Sequence, residues 1–272
     1  MEEFLANALS ANPPTQSALA PPLLRVREAA WYAVRGGHRW RAMVAIAAGR
    51  IFHEEAFEMC LPVGASIELA HAASLVLDDL PSMDDGKLRR GQPCTHLKFV
   101  DTPWAVDMAP VFMVNLAYQL ALENERAGYR ERVESASKMS HTSRAMIAGQ
   151  ELDITQANNR CLEGDDGMLT CYLAKSGALY GSAAEVGAIT CGASSDDRPR
   201  LYEAGLYLGL AYQFMDDVCD VVATGGQSGK DSGADSCKET AVDFFGVDGA
   251  RTRAKKYQDE SLDRLSVYGA AA

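Results

Sequence analysis

The segment from residue 168 to residue 190 constrains the fold most strongly, because it is almost continuously small or apolar. Lys175 and Glu185 are its main interruptions. A helix that is apolar on most of its sides has to be buried by other elements. The segment therefore predicts a central helix that other helices surround.

Other segments repeat their apolar residues at the period of a helix. One such stripe contains Ala65, Leu69, Ala72, Ala73 and Val76. Its spacing matches 3.6 residues per turn and not the alternation of a strand. Similar patterns predict helices over 111–122 and 201–222, and no convincing alternating run closes with a hairpin turn. We predict an all-α, single-domain fold over residues 1–272.

Two segments differ from this helical pattern. Four prolines lie between positions 13 and 22, so residues 1–22 are predicted to form a loose N-terminal arm with one short helix. The stretch 223–236 is rich in Gly, Ser and Asp. It is too short to separate two domains and predicts a mobile loop.

Charge and composition exclude several classes of protein. The net charge is −11 and the pI about 4.9, whereas binders of nucleic acid or of anionic membranes need a basic face. No stretch of 18 residues is both apolar and uncharged, so no transmembrane helix is expected. The start, Met1-Glu2-Glu3, lacks the basic residues of a secretory signal. Together with seven scattered cysteines, this predicts a cytoplasmic protein with no nucleic-acid partner.

Two clusters of aspartates follow apolar helical segments. The first aspartate cluster, residues 78–85, contains Asp78, Asp79, Asp84 and Asp85. Pro81 disfavours helical geometry at the residue before it, so the chain should bend and bring Asp84 back towards Asp78. The second aspartate cluster, residues 216–220, contains Asp216, Asp217 and Asp220.

A solvated surface or a helix cap is the plain interpretation of one acidic run. Asp216 and Asp220 are four residues apart and share a helix face, where like charges repel. Because both clusters emerge from apolar helices, a cation that offsets this repulsion is the better interpretation. Mg²⁺ is commonly held by one or two carboxylates together with substrate phosphates. The two clusters thus predict metal ions bound around one diphosphate.

Cationic residues fit a phosphate-binding site as well. They are Arg39, Arg41, Arg89, Arg90, Lys175 and Lys230. Lys175 is the most informative, because a lysine in a buried helix is costly unless it meets an anion or reaches solvent at the helix edge. Residues 224–231 do not form a phosphate-binding Walker loop, and no nucleophile elbow or histidine-based triad is recognisable.

Taken together, these residues resemble the trans-isoprenyl diphosphate synthases, the all-α polyprenyl synthetase family. The first cluster resembles the family's long first aspartate motif, and Tyr212 to Asp220 resembles its second motif, FQxxDDxxD. Between them, Leu88 to Pro93 is similar to RRGxP. Lys175-Ser176-Gly177 resembles KTG, and Gly149 to Asp153 resembles GQxxD.

The resemblance implies a homodimer of helical bundles, each around a deep central cavity, that condenses isopentenyl diphosphate with an allylic diphosphate. It implies three Mg²⁺ ions per site, with Mn²⁺ able to substitute. The implied metal ligands are Asp78, Asp79, Asp84, Asp216, Asp217 and Asp220. The implied allylic-site residues are Arg89, Lys175, Ser176, Gln213 and Lys230. The implied isopentenyl-site residues are Gly37, His38, Arg41, His71 and Arg90, and Lys238 is expected to help close the site.

Product length is predicted from the residues before the first aspartate. Short-product relatives place an aromatic residue four or five positions earlier, where this chain has Ser74 and Ala73. An open cavity floor favours geranylgeranyl diphosphate (C20). Phe112 or Met113 on the next helix could still block it, which leaves farnesyl diphosphate as an alternative.

The sequence departs from the family pattern mainly on the isopentenyl side. The motif GGKRxRP reads with His38 for Lys and Ala42 for Pro, and Met108-Ala109-Pro110 replaces a Gly-Asp pair. Histidine titrates near neutral pH, so a weaker or pH-sensitive isopentenyl site is expected. Two alternatives follow: an enzyme that uses the allylic diphosphate alone, such as a terpene cyclase or a prenyltransferase with another acceptor, and a non-catalytic partner subunit.

Overall fold

The computed structural model describes residues 1–10, 24–159, 164–222 and 240–271. This part of the chain is almost entirely helical, as predicted. The helices are α1 (Glu2–Ser10), α2 (Leu24–Val34), α3 (Trp40–Arg50), α4 (Ala56–Asp78), α5 (Thr95–Lys98), α6 (Pro103–Leu122), α7 (Tyr129–Asn159), α8 (Gly164–Tyr172), α9 (Ala178–Thr190), α10 (Asp197–Val222) and α11 (Ala241–Leu265). A 3₁₀ turn, Ser266–Ala271, follows α11.

Helix α9 is the centre of the bundle, and every one of its residues is buried. It packs against α3, α4, α7 and α10. Small residues make these contacts close: a Cβ on Gly187 would lie 1.9 Å from the carbonyl oxygen of Ala45 on α3. The prediction of a central helix is confirmed.

The predicted segment 168–190 is not one continuous α-helix. Between α8 and α9 the chain forms a π-helical turn, Leu173–Gly177, which we call the lysine bulge because Lys175 lies in it. Such a turn carries one extra residue relative to α-helical spacing and often marks a functional site. From this turn the side chain of Lys175 reaches Asp153 on α7.

The bend after α4 is present and is followed by a small hairpin. The backbone N–H of Asp84 donates to the carbonyl oxygen of Asp78 over 3.0 Å, as expected from Pro81. Strand β1 (Leu88–Arg89) then pairs antiparallel with β2 (Gln92–Pro93). Arg90 and Gly91 form the two-residue turn, and both have positive φ, which is typical of tight hairpins. This hairpin was not predicted, because two-residue strands are too short to show alternation.

The N-terminal residues are packed rather than loose. Leu5 and Leu9 of α1 are buried in the main hydrophobic core, and Met1 and Phe4 pack against it. The short helix predicted in this arm is present as α1, but it is not loose, because its apolar residues pack into the core. The remaining residues of the arm, 11–22, and the predicted loop 223–236 lie outside the described part of the chain.

Helices α4 and α6 are long and apolar enough to span a membrane by length and composition alone. Helix α4 lies inside the bundle, with Glu68 and Asp78 among its buried residues. The core helix of a bundle passes the same test as a membrane span. Helix α6 buries an alanine-rich face and exposes an apolar face, which bears on the proposed assembly below.

Candidate active site

The lysine bulge contacts both helices that carry the aspartate clusters. The ammonium nitrogen of Lys175 lies 2.7 Å from Asp153 Oδ2 on α7 and 3.8 Å from Asp78 Oδ2 at the end of α4. The next residue, Ser176, donates to Oε1 of Gln213 on α10 over 2.6 Å. One turn of chain thus contacts both cluster-bearing helices.

Asp78 is a buried carboxylate in a crowded electrostatic environment. Burial raises the pKa of Asp78, and the neighbouring carboxylates of Asp84 and Asp153 raise it too, whereas Lys175 and Arg89 lower it. Repulsion between these carboxylates favours a bound cation. Oxygen donors of this kind are the ligands of hard divalent ions.

Asp79, which follows Asp78, has a different environment. Arg89 on β1 donates to both of its oxygens, at 3.2 Å from Nε and 2.5 Å from a terminal nitrogen. Because adjacent residues on a helix point about 100° apart, only one of the two carboxylates faces Lys175. The Asp79–Arg89 pair instead anchors the hairpin to the end of α4.

In the second aspartate cluster, as in the first, neighbouring carboxylates have different environments. Asp217 is buried and accepts hydrogen bonds from the Tyr172 hydroxyl, the Gln213 side chain and the backbone N–H of Ala241. Asp216 is half-buried and Asp220 exposed. Asp216 and Asp220 therefore lie on the more exposed side of α10, while Asp217 points into the bundle.

His71 on α4 lies within electrostatic reach of four arginines. Burial lowers the pKa of His71 well below its ordinary value, and the guanidinium groups lower it further. In order of effect they belong to Arg41, Arg90, Arg89 and Arg39. His71 is consequently neutral at pH 7 and offers a hydrogen bond rather than a charge.

Two of these arginines have no carboxylate partner among the described residues. Arg41 stacks over the ring of Tyr180 at 4.4 Å, and Arg90 donates to the carbonyl oxygens of Ala33 and Arg35, each at 3.0 Å. Within the described ranges neither guanidinium forms an ion pair with a carboxylate, although Glu68 and Glu2 act on Arg90 from a distance. This arrangement suits an incoming anion.

The loop before α3 brings Gly37 close to these arginines, since a Cβ there would lie 3.1 Å from a terminal nitrogen of Arg90. His38 is exposed. Arg39 has positive φ and contacts Glu2, Glu68 and the carbonyl oxygen of Val34. It therefore holds the loop in place.

Sequence reasoning missed three contributors. Asp153 lay within a recognised motif but received no role, although its distance to Lys175 is among the shortest here. Glu68 accepts from the backbone N–H of Ala42 and pairs with Arg39, so it fixes the start of α3. Tyr172 carried no signal at all, because its partner Asp217 is 45 residues away.

Not every predicted residue is brought together. Lys230 and Lys238 lie outside the described residues. Within the described ranges, no three acidic, histidine or cysteine side chains are close enough to hold a metal by themselves. The cluster carboxylates thus present donors singly or in pairs, the number that Mg²⁺ takes when phosphates supply the rest.

The predicted floor residues lie in the core between α4 and α6. Ala73 and Met113 belong to the same buried cluster, and Phe112 packs against it. Ser74 is half-buried and donates to the carbonyl oxygen of His71 over 2.8 Å. The two small residues therefore stand where the sequence placed them, one turn before the first aspartates.

The all-α bundle, whose lysine bulge contacts Asp78 on α4 and Gln213 on α10, has the isoprenoid synthase type of fold. The profile of the polyprenyl synthetase family matches residues 24–261, and the chain belongs to this family. It is accordingly a prenyltransferase.

Relatives agree with this assignment. Geranylgeranyl pyrophosphate synthase 6, mitochondrial, from Arabidopsis thaliana is 33% identical over 91% of this chain and 76% of its own length. Farnesyl diphosphate synthase from Escherichia coli is 31% identical over 86% of this chain and 79% of its own. A Helicobacter pylori geranyltransferase solved with magnesium and isoprenyl diphosphate is 25% identical, with a TM-score of 0.82 over 99% of this chain and 89% of that one.

Proposed function

We propose that the protein condenses isopentenyl diphosphate with an allylic diphosphate, with Mg²⁺, to give geranylgeranyl diphosphate. The observation that carries this proposal is the lysine bulge, which contacts Asp78 through Lys175 and α10 through Ser176. A single diphosphate held there would meet both aspartate clusters. Farnesyl diphosphate is the alternative product.

We assign the metal to Asp78, Asp84, Asp216 and Asp220. Asp79 and Asp217 were included in the sequence-based assignment, but their oxygens are occupied by Arg89 and by Tyr172, Gln213 and Ala241. Bound Mg²⁺ offsets the charge of the departing diphosphate. Three ions per site, replaceable by Mn²⁺, stay part of the proposal.

The allylic side is proposed to use Lys175, Arg89, Gln213 and Lys230. Lys175 supplies a point charge already placed beside Asp78, and Asp153 holds its ammonium group in position. Arg89 is fixed by Asp79 and can keep a terminal nitrogen for phosphate oxygen. These residues bind and orient the leaving group.

The isopentenyl side is proposed to use Arg41, Arg90, His71 and the loop at Gly37 and His38. Arg41 and Arg90 would neutralise the second diphosphate. The C–O bond of the allylic diphosphate breaks first and gives an allylic cation and diphosphate. The double bond of isopentenyl diphosphate then attacks this cation, and the released diphosphate takes up the proton that is lost. This path needs no protein nucleophile, and apolar walls exclude the water that would quench the cation.

The test is to incubate the purified protein with Mg²⁺, labelled isopentenyl diphosphate and, separately, C5, C10 and C15 allylic diphosphates, and to size the products. A C20 product from the C15 starter supports the proposal and the open floor beside Ala73 and Ser74. Products that stop at C15 would support the farnesyl alternative. Release of diphosphate from the allylic substrate without elongation would overturn the proposal in favour of another acceptor or a cyclase, and inactivity with every starter would favour the partner subunit.

Replacing His38 with lysine is expected to strengthen the isopentenyl site. Lysine brings a positive charge with three donors on a longer side chain, which suits an exposed contact with phosphate. We expect KM for isopentenyl diphosphate at pH 8 to fall about two- to fivefold, the scale of one exposed charge–charge contact, with KM for the allylic substrate unchanged. Steady-state kinetics with each substrate varied in turn would measure this, and an equal change in both KM values would contradict the assignment of His38.

The homodimer is proposed to form through the exposed face of α6. Trp104, Met108 and Val111 are spaced four and three residues apart on this face and are 52%, 52% and 64% exposed. A contiguous exposed apolar face is typical of an interface. Location in the cytoplasm stays a prediction from the sequence, because the relatives include mitochondrial and chloroplastic proteins.

Val111→Asp is expected to split this dimer, because a buried carboxylate in an apolar interface is strongly unfavourable. Light scattering should then give about half the mass of the unmodified protein. Leu262→Asp is the matched control, since Leu262 is 56% exposed on α11. A dimer that withstands Val111→Asp, or that is lost equally in the control, would show that α6 is not the interface.

A further inference from the structure

Three helices meet at one oxygen atom of Asp217. The hydroxyl of Tyr172, the last residue of α8, donates to Asp217 Oδ2 over 2.5 Å. The backbone N–H of Ala241, the first residue of α11, donates to the same oxygen over 2.9 Å and also lies 3.2 Å from the Tyr172 hydroxyl. A carboxylate of α10 thus accepts the first backbone N–H of α11, next to that helix's own capping box of Thr240 and Asp243. A phenol holds that carboxylate in place.

The other oxygen of Asp217 connects this point to the lysine bulge. Asp217 Oδ1 accepts from Gln213 Nε2 over 3.1 Å. The amide oxygen of Gln213 in turn accepts from the hydroxyl of Ser176 over 2.6 Å. A continuous chain of hydrogen bonds therefore runs from the residue beside Lys175 to the first turn of α11.

Asp217 depends on these donors because it is 7% exposed. A buried carboxylate is costly unless its lone pairs are satisfied. The ring of Tyr172 packs edge-on against Phe214, with ring centroids 5.8 Å apart, so the hydroxyl is held in direction as well as in distance. Tyr172 is the only one of the three donors that is neither on α10 nor part of the backbone.

We infer that Tyr172 is a positioning residue of the proposed prenyltransferase site, acting through Asp217. It keeps the Asp217 carboxylate turned towards α8 and α11, so that Asp216 and Asp220 form the face that α10 presents to substrate. The acidic end of α10 and the start of α11 then behave as one unit. This inference rests on the proposed function for its catalytic meaning.

Tyr172→Phe removes only the hydroxyl and keeps the ring contact with Phe214. Tyr207→Phe is the matched control: Tyr207 lies on α10, is half-buried, and stacks on Tyr257 with centroids 6.3 Å apart. Its ring contacts do not involve the hydroxyl. Both variants should unfold within a few degrees of the unmodified protein, which thermal unfolding would establish.

Two measurements that do not depend on turnover test the inference. Residue-resolved hydrogen exchange should show the amide of Ala241 exchanging about tenfold faster in Tyr172→Phe, because the carboxylate that accepts its N–H is held less firmly. Calorimetry with Mg²⁺ and a non-reactive allylic diphosphate analogue should show Kd rising about threefold or more. Tyr207→Phe should show neither change, and kinetics should show KM for isopentenyl diphosphate unaffected in both.

The outcomes separate this inference from the proposed function. Faster exchange with an unchanged Kd would make Tyr172 merely structural and overturn its positioning role, as would no change in either measurement. If the unmodified protein binds the analogue but elongates nothing, the proposed function fails while the Kd ratio still decides the role of Tyr172. If the unmodified protein does not bind the analogue at all, both are overturned.

Discussion

Asp78→Asn is expected to lower kcat/KM for elongation about a thousandfold or more, equivalent to about 4 kcal/mol of transition-state stabilisation. The amide has the size of the carboxylate but no charge, so it cannot act as an anionic ligand of a divalent ion. The substitution should change the free energy of unfolding little, because the hydrogen bond that shapes the bend uses the backbone oxygen of Asp78 and not its side chain. Initial rates over a range of Mg²⁺ concentrations would measure the loss.

Asp85→Asn is the control for this prediction. Asp85 lies in the same cluster but is exposed and pairs with Lys87 over 2.6 Å. We expect kcat/KM for elongation by Asp85→Asn to stay within about twofold of the value for the unmodified protein, because most surface substitutions have small effects. If Asp78→Asn retained a tenth of the activity while unfolding normally, the metal assignment at the end of α4 would be wrong.

The helical framework could be predicted because its periodicity is local. The stripe from Ala65 to Val76 and the apolar segments near 111–122 and 201–222 each belong to a helix in the structure. Burial of nearly every side of α9 follows from its small and apolar residues. Such signals lie within a few turns of chain and need no tertiary information.

The lysine bulge shows where this reasoning ends. A lysine within an apolar helix predicts a negative charge nearby. In the structure the carboxylates of Asp153 and Asp78 supply that charge. The π-helical turn could not be predicted, because periodicity assumes 3.6 residues per turn throughout. The π-helical turn packs against α7 and α10, and these tertiary contacts leave no trace in the periodicity of the sequence.

The sequence also could not separate the roles of neighbouring aspartates. Asp78 and Asp79 look equivalent in a motif, as do Asp216 and Asp217. One aspartate of each pair accepts hydrogen bonds from a residue on another element. Arg89 donates to Asp79, and Tyr172 donates to Asp217. Contacts of this kind become visible only when the fold is known.

Gly149→Ala is expected to cost about a hundredfold in kcat/KM, because Gly149 is where α7 touches the lysine bulge. A Cβ there would lie 2.5 Å from the backbone nitrogen of Lys175 and 2.8 Å from the carbonyl carbon of Ala174. These are backbone atoms that cannot rotate away, so the bulge has to move. Asp153, one turn further along α7, would then lose its 2.7 Å contact with Lys175.

The same crowding should lower stability by about 1–3 kcal/mol, or several degrees in Tm. Gly128→Ala separates this effect from the general cost of changing a glycine. A Cβ on Gly128 would meet only the carboxylate of Glu131, the far end of a flexible side chain. Full activity in the control with a large loss in Gly149→Ala would locate the defect at the bulge, whereas near-normal kcat/KM in Gly149→Ala would mean that the Asp153–Lys175 contact does not position the lysine for catalysis.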